Sequence, residues 1–206
     1  MYLIVDNHDA MCVEHLVQIL EKRGETWLVL DRTARLDEVE VSALQGIFLS
    51  GSDDLDVTAP LPLSEIALDT ACLIGVPVPI FGICGGFELV VALCGGILAP
   101  VGDELPQSCV PVSVTRHVSV LWDLPPEICM MEFNTIHATA LPDCLIPVAS
   151  SKRSPFEAVI HATRPIIATQ FHPEATDAQG RHSPEGLRIV GNFLDWCDAT
   201  PPRWWR

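Results

Sequence analysis

Four short runs, Tyr2 to Val5, Thr26 to Leu30, Gly46 to Leu49 and Val78 to Phe81, are almost wholly apolar and too short to be helices. A strand wetted on one face alternates apolar and polar residues; runs without that alternation are expected to be covered on both faces, as the strands of a parallel sheet are. Parallel neighbours need a long crossover, and helical patterns stand where crossovers are required. Met11 to Lys22 sets Val13, Leu16, Val17, Ile19 and Leu20 on one stripe and stops at Gly24, a residue that leaves a helix easily through positive φ. A second helix is predicted near Leu63 to Ile74, ending before Pro77 and Pro79. The pattern predicts an α/β fold with an open, mostly parallel, doubly wound sheet and helices on both faces.

From about Ile97 to Val148 the chain changes character. Prolines at 100, 106, 111, 125, 126, 142 and 147 break it into short segments, which predicts a small antiparallel extension at one end of the sheet. Ile166 to Phe171 then returns to a buried strand, and Pro184 to Cys197 to a helix with the stripe Leu187, Ile189, Val190, Phe193 and Leu194. With 206 residues, 49% of them apolar, the chain has material for one ordinary core, so a single domain is expected over residues 1–199 followed by a tail, 200–206. The tail ends in Trp204, Trp205 and Arg206, and two tryptophans there are expected to dock on the domain or to meet a partner.

The balance of 27 acidic against 12 basic residues, a formal charge of −15, argues against a nucleic-acid surface, which needs a concentrated basic patch. No apolar run reaches the roughly 18 to 20 residues that a membrane span requires. The start lacks the basic and apolar regions of a signal peptide, so a cytoplasmic location is expected. The eight cysteines form no C-x-x-C pair and most are expected to be reduced, buried and small. His8, His15, His117, His161 and His182 have no metal-ligand spacing, and neither Gly85-Gly86 nor Gly95-Gly96 continues into a phosphate-cradling loop, so no metal and no cofactor is expected.

Two segments carry chemistry. In Pro79-Ile80-Phe81-Gly82-Ile83-Cys84-Gly85-Gly86-Phe87-Glu88 a buried strand meets a cysteine flanked by small residues and then an apolar helix. This is the layout of a nucleophile elbow, with Cys84 at a helix N-terminus where the dipole favours a thiolate. Read alone, the same glycines also suit a tight turn around a buried cysteine. In Thr169-Gln170-Phe171-His172-Pro173-Glu174 a strand delivers His172 at its C-terminal edge, and Glu174 stands two residues on, able to hold one ring nitrogen and leave the other facing a thiol. Asp6, at the end of the first strand, is expected to cap the helix that follows, and His137, near Asn134, to be a loop residue.

Together, Gly82-Ile83-Cys84-Gly85-Gly86 and Gln170-Phe171-His172-Pro173-Glu174 resemble the paired signatures of class I glutamine amidotransferases. Ile4-Val5-Asp6-Asn7 resembles the opening of the small amidotransferase subunits of GMP synthetase and anthranilate synthase. Leu49-Ser50-Gly51-Ser52 stands where the family has a Ser-Gly-Gly oxyanion loop, and Phe133-Asn134-Thr135-Ile136-His137 resembles a further family segment. The resemblance implies a flavodoxin-like sheet and the hydrolysis of glutamine to glutamate and ammonia, with a separate ammonia-accepting synthetase chain as partner. It implies Cys84 as nucleophile, His172 as base, Glu174 as its orienting carboxylate, and the amides of Gly51 and Gly85 as the oxyanion hole. Ser52, Glu88, Asn134 and Thr135 are expected to contact substrate.

Three positions depart from the family pattern. Glu88 replaces a glutamine; a carboxylate there is expected to oppose ionisation of the thiol and to favour a substrate ammonium group. Ser52 and the following Asp53-Asp54 replace a Gly-Gly-Pro continuation, and Gly85 replaces a larger residue, which is expected to leave extra room. Cys-x-Gly-Phe-Glu also resembles γ-glutamyl hydrolases, so a larger γ-glutamyl amide is the alternative substrate and a catalytically quiet regulatory chain the third reading.

Overall fold

The computed structural model describes residues 1–101 and 108–199, so the predicted contact of Trp204 and Trp205 lies outside the described residues. Five strands, β1 (Tyr2–Asp6), β2 (Trp27–Asp31), β3 (Gly46–Leu49), β4 (Ile80–Ile83) and β11 (Ile166–Thr169), pair in parallel in the order β2-β1-β3-β4-β11. Beyond β11 the same sheet continues antiparallel through β10 (Ala158–His161), β9 (Leu145–Ser151), β6 (Ser108–Val114) and β7 (Glu127–Glu132). Strands β5 (Ile97–Pro100) and β8 (Ile136–Ala140) form a separate antiparallel pair. The antiparallel extension is therefore mostly a continuation of the main sheet. Among the described residues no helix is long and apolar enough to cross a membrane.

The parallel strands β1, β3, β4 and β11 are buried on both faces and divide their residues between two cores, whereas β2, expected to be covered likewise, is the edge strand and only half-buried, with Trp27 and Asp31 exposed. Tyr2 and Ile4 face α1 (Ala10–Arg23) and α4 (Pro184–Asp198), joining Phe48, Phe81 and Phe193 in one cluster. Leu3 and Val5 face the other way, toward α2 (Ala67–Gly75) and α3 (Gly85–Leu93). The absence of apolar and polar alternation in the sequence is the consequence of this double cover.

Helix α1 ends as expected at Gly24, whose φ of 75° is the left-handed cap. Its N-cap is Asp9, whose side chain accepts the Cys12 amide at 2.9 Å. Asp6, expected in that role, instead accepts the amide of His8 at 2.8 Å and lies too early in the chain to reach the helix. Helix α2 begins at Ala67 rather than near Leu63, because residues 63–66 close a turn in which the Glu65 amide donates to Pro62 O at 2.7 Å. Strand β4 begins two residues later than expected, since Pro77 and Pro79 have no N–H to give a ladder. Leu187, placed on the buried stripe of α4 by periodicity, is 41% exposed, and that stripe is Gly186, Ile189, Val190, Phe193 and Leu194.

Cys12, Cys72, Cys84, Cys94, Cys144 and Cys197 are free thiols, whereas Cys109 and Cys129 form a disulfide between β6 and β7.

Candidate active site

Strand β4 delivers Cys84 to the N-cap of α3 with φ 50° and ψ −103°. Positive φ in a residue with a side chain costs on the order of 1–3 kcal/mol and persists only where its surroundings fix it. Here both sides are fixed. The Cys84 amide donates to Thr169 O at 2.8 Å, and the Cys84 carbonyl accepts the Glu88 amide at 3.0 Å. The first of these bonds explains how two distant segments meet: β4 and β11 are parallel neighbours, so the residues leaving β11 rise beside the elbow.

His172 is the third residue beyond β11. Its amide donates to Met131 O at 2.9 Å, and the Phe133 ring stands edge-on to the imidazole at 5.2 Å. Nδ1 lies 2.7 Å from Glu174 Oε1, a bond between two buried side chains. With Nδ1 held there, Nε2 is left for the thiol, and Cys84 and His172 line one cleft and act on each other's ionisation. Burial alone would keep His172 neutral. The Glu174 carboxylate overcomes it and holds the ring well above its ordinary pKa, with the Cys84 sulfur adding to the effect. The imidazolium in turn offsets the burial of Glu174 and keeps that carboxyl below its usual range. Burial pushes the Cys84 thiol up, and His172 is the main group pulling it down.

Two side chains that sequence reasoning did not place here also reach the histidine. A carboxylate oxygen of Asp9, the sulfur of Cys12 and a ring nitrogen of His172 lie within 4.8 Å of one another. Cys12 is fully buried, and the Glu174 carboxylate helps push its thiol up. The one available signal was an Asp three residues before Cys12 at the start of a helix, a capping pattern that says nothing of what lies across the site.

The site opens into a cleft of about 650 Å³ lined by Cys84, His172, Ser52, Glu88, Asn134 and Thr135, so the four expected substrate residues are brought together. Asp9, Asp53, Asp54 and Asp56 line it too, with no Lys or Arg among its described lining residues. Asn134 Nδ2 donates to Ile136 O at 2.8 Å, and its Oδ1 has no partner among the described residues. His137 belongs to β8 and does not line the cleft.

Gly51 and Gly85 lie directly behind the lining, and their amides have no hydrogen-bond acceptor among the described residues. The loop is held from the rear. Asn7, fully buried, donates its amide to Ser50 Oγ at 2.8 Å, and Ser50 Oγ donates to Gly51 O at 2.9 Å. Asn7 Nδ2 also reaches Asp69 at 3.1 Å, and Arg32 pairs with Asp54 at 2.8 Å to fix the next residues.

A family model for class-I glutamine amidotransferases matches residues 3–195. The chain belongs to that family. Among its relatives, a glutamine-hydrolysing GMP synthase subunit of Thermococcus kodakarensis is 27% identical over 96% of this chain and 98% of its own. The Pyrococcus furiosus protein of the same name is 28% identical with the same coverage. A crystal structure from Thermoplasma acidophilum, described as a candidate GMP synthase subunit, superposes with a TM-score of 0.82 at 26% identity over 96% of this chain and 93% of that one. A glutamine amidotransferase of Thermotoga maritima shares the fold, with a TM-score of 0.73 at 15% identity over 99% of this chain and 87% of that one.

Two departures of this amidotransferase from its family read differently in three dimensions. By its type Glu88 is expected to act on the thiol as a charge. Burial pushes its carboxyl up to about 8, against the pull of Gln170, whose Nε2 donates to it at 3.1 Å. Near neutral pH it is therefore mostly protonated, and where it ionises its charge raises the Cys84 thiol, the direction its residue type predicts. Gly85 is expected to leave spare room. A Cβ there would lie 2.6 Å from Ser52 N and 2.8 Å from Ser52 Cβ, so that space is already taken. Residues 85 and 52 thus meet directly, through the backbone of residue 52 as well as its side chain.

Proposed function

We propose that the chain is a glutaminase subunit that works over residues 1–199 as one cytoplasmic domain and passes ammonia to a separate synthetase chain. The observation that carries this reading is a strained, helix-capping Cys84 sharing one cleft with a histidine whose Nδ1 is held by a buried carboxylate. In the proposed reaction the Cys84 thiolate attacks the side-chain amide carbon of glutamine, and the carbonyl oxygen becomes an oxyanion. The amides of Gly51 and Gly85 receive it in this reading, and such a donor is worth ~2.7–4 kcal/mol. The His172 imidazolium gives its proton to the departing nitrogen, releasing ammonia and leaving a thioester. His172 then takes a proton from water, which attacks the thioester to give glutamate and the free thiol. The relatives named as GMP synthase subunits make a GMP-forming synthetase the preferred partner.

Purified chain supplied with glutamine should release glutamate, faster when the synthetase chain is present, and a diazoketone glutamine analogue should label Cys84. No glutamate release with or without the synthetase, together with no labelling, would leave a catalytically quiet chain. The carboxylates of Asp53 and Asp56 around the cleft favour a second reading, a γ-glutamyl amide whose amine is cationic. Turnover of such amides in preference to glutamine would select it.

The close approach of residues 52 and 85 has its own test. Gly85→Ala should lower turnover by roughly 10²-fold, the usual cost of displacing an oxyanion donor. Ser52→Gly added to it should restore part of that loss, because it removes the nearest side-chain atom and frees the loop to shift. Equal or greater loss in the double variant would separate the two positions.

A further inference from the structure

The sulfurs of Cys94 and Cys144 and a ring nitrogen of His161 lie within 4.8 Å of one another, well away from the cleft. They come from three places: the C-cap of α3, the residue before β9, and the last residue of β10. All three are half-buried, so small reagents can reach them. A divalent metal is the first thought for such a group, and the histidine argues against it. His161 Nδ1 accepts the amides of Thr163 and Arg164, both at 3.1 Å, so the proton of the neutral ring is on Nε2. A metal on Nε2 would have to displace that proton with none able to move to Nδ1, and on Nδ1 it would meet two N–H groups. The Arg164 guanidinium acts on both Cys94 and His161 and adds a like charge beside any cation.

We infer that Cys94 and Cys144 are a dithiol site that closes to a disulfide, with Arg164 as the group that favours the thiolate formed during exchange. The reaction needs a small disulfide as oxidant. One thiolate attacks it and expels a thiolate; the second attacks the mixed disulfide and expels another. The two electrons reduce the oxidant to two thiols, which take up the two protons. Burial and the neighbouring Cys144 sulfur push the Cys94 thiol up to about 11. A thiol that ionises so reluctantly is a poor leaving group, so the bond, once formed, should resist reduction. It would tie the C-terminal end of α3, the helix whose N-cap is Cys84, to the strand pair behind it.

Full-length chain equilibrated across a series of glutathione redox buffers, acid-quenched, alkylated and peptide-mapped should yield a Cys94–Cys144 linked peptide, while Cys12 and Cys72 stay alkylatable. The oxidised form should unfold about 5 °C or more above the reduced form. Cys144→Ser should abolish the linked peptide and leave Cys94 carrying a glutathione adduct. Single adducts on either cysteine of the wild type without a link, even in the most oxidising buffer, would overturn the inference. So would one zinc per purified chain that is lost in both Cys94→Ser and His161→Ala. The wild-type mapping decides the matter even if a variant fails to fold.

Discussion

Cys84→Ser should lower glutamine turnover by at least on the order of 10⁴-fold while leaving the fold and the melting temperature close to those of the wild type. A hydroxyl ionises several pKa units less readily than a thiol, and burial, which already pushes the Cys84 thiol up, would weigh harder on an alkoxide. The imidazolium that draws a thiolate out of Cys84 cannot do the same for an alcohol of much higher pKa. Glutamine should still bind, because Ser52, Asn134 and Thr135 keep their places in the cleft. Steady-state rates paired with isothermal binding of glutamine check both halves. A variant retaining a tenth of the activity would mean that the nucleophile lies elsewhere, with Cys12 as the first place to look, since its sulfur also reaches His172.

The fold and the residues that gather at the cleft were legible because each is written locally. A strand buried on both faces shows itself in four or five residues, an elbow in a small residue, a cysteine and two glycines, and an oriented histidine in a spacing of two. What was not legible depends on residues remote in sequence. Asp9 and Cys12 meet His172 only because β1 and β11 both end at the same edge of the sheet. Glu88 reads as a charge from its type, and becomes mostly neutral because Gln170, 82 residues away, is its partner in a buried place. Gly85 reads as a gap because the loop that fills it is 33 residues upstream. Cys94, Cys144 and His161 have no spacing that could announce them; three separate turns bring them together.

Glu174→Gln keeps the shape of the site and removes one charge, which makes it the sharper test of how the site is powered. The carboxylate holds His172 protonated against burial. Without it the ring should fall toward neutrality, and the thiolate that depends on the imidazolium should fall with it. Glutamine turnover should drop by about 10²- to 10⁴-fold, the range seen when a histidine loses its orienting carboxylate. The sign of the pH effect follows. In the wild type, alkylation of Cys84 draws on a thiolate stabilised by the imidazolium, and that help is lost as pH rises through the elevated pKa of His172. In the variant the imidazolium is lost at lower pH, so the thiolate must form at the pKa that burial alone sets for it. The alkylation profile of Cys84 should therefore move to higher pH, with its rate near neutrality reduced. A residue that merely shaped the site would lower turnover and leave that profile where it was. An unmoved profile in Glu174→Gln would show that Cys84 draws its reactivity from the helix end and not from His172.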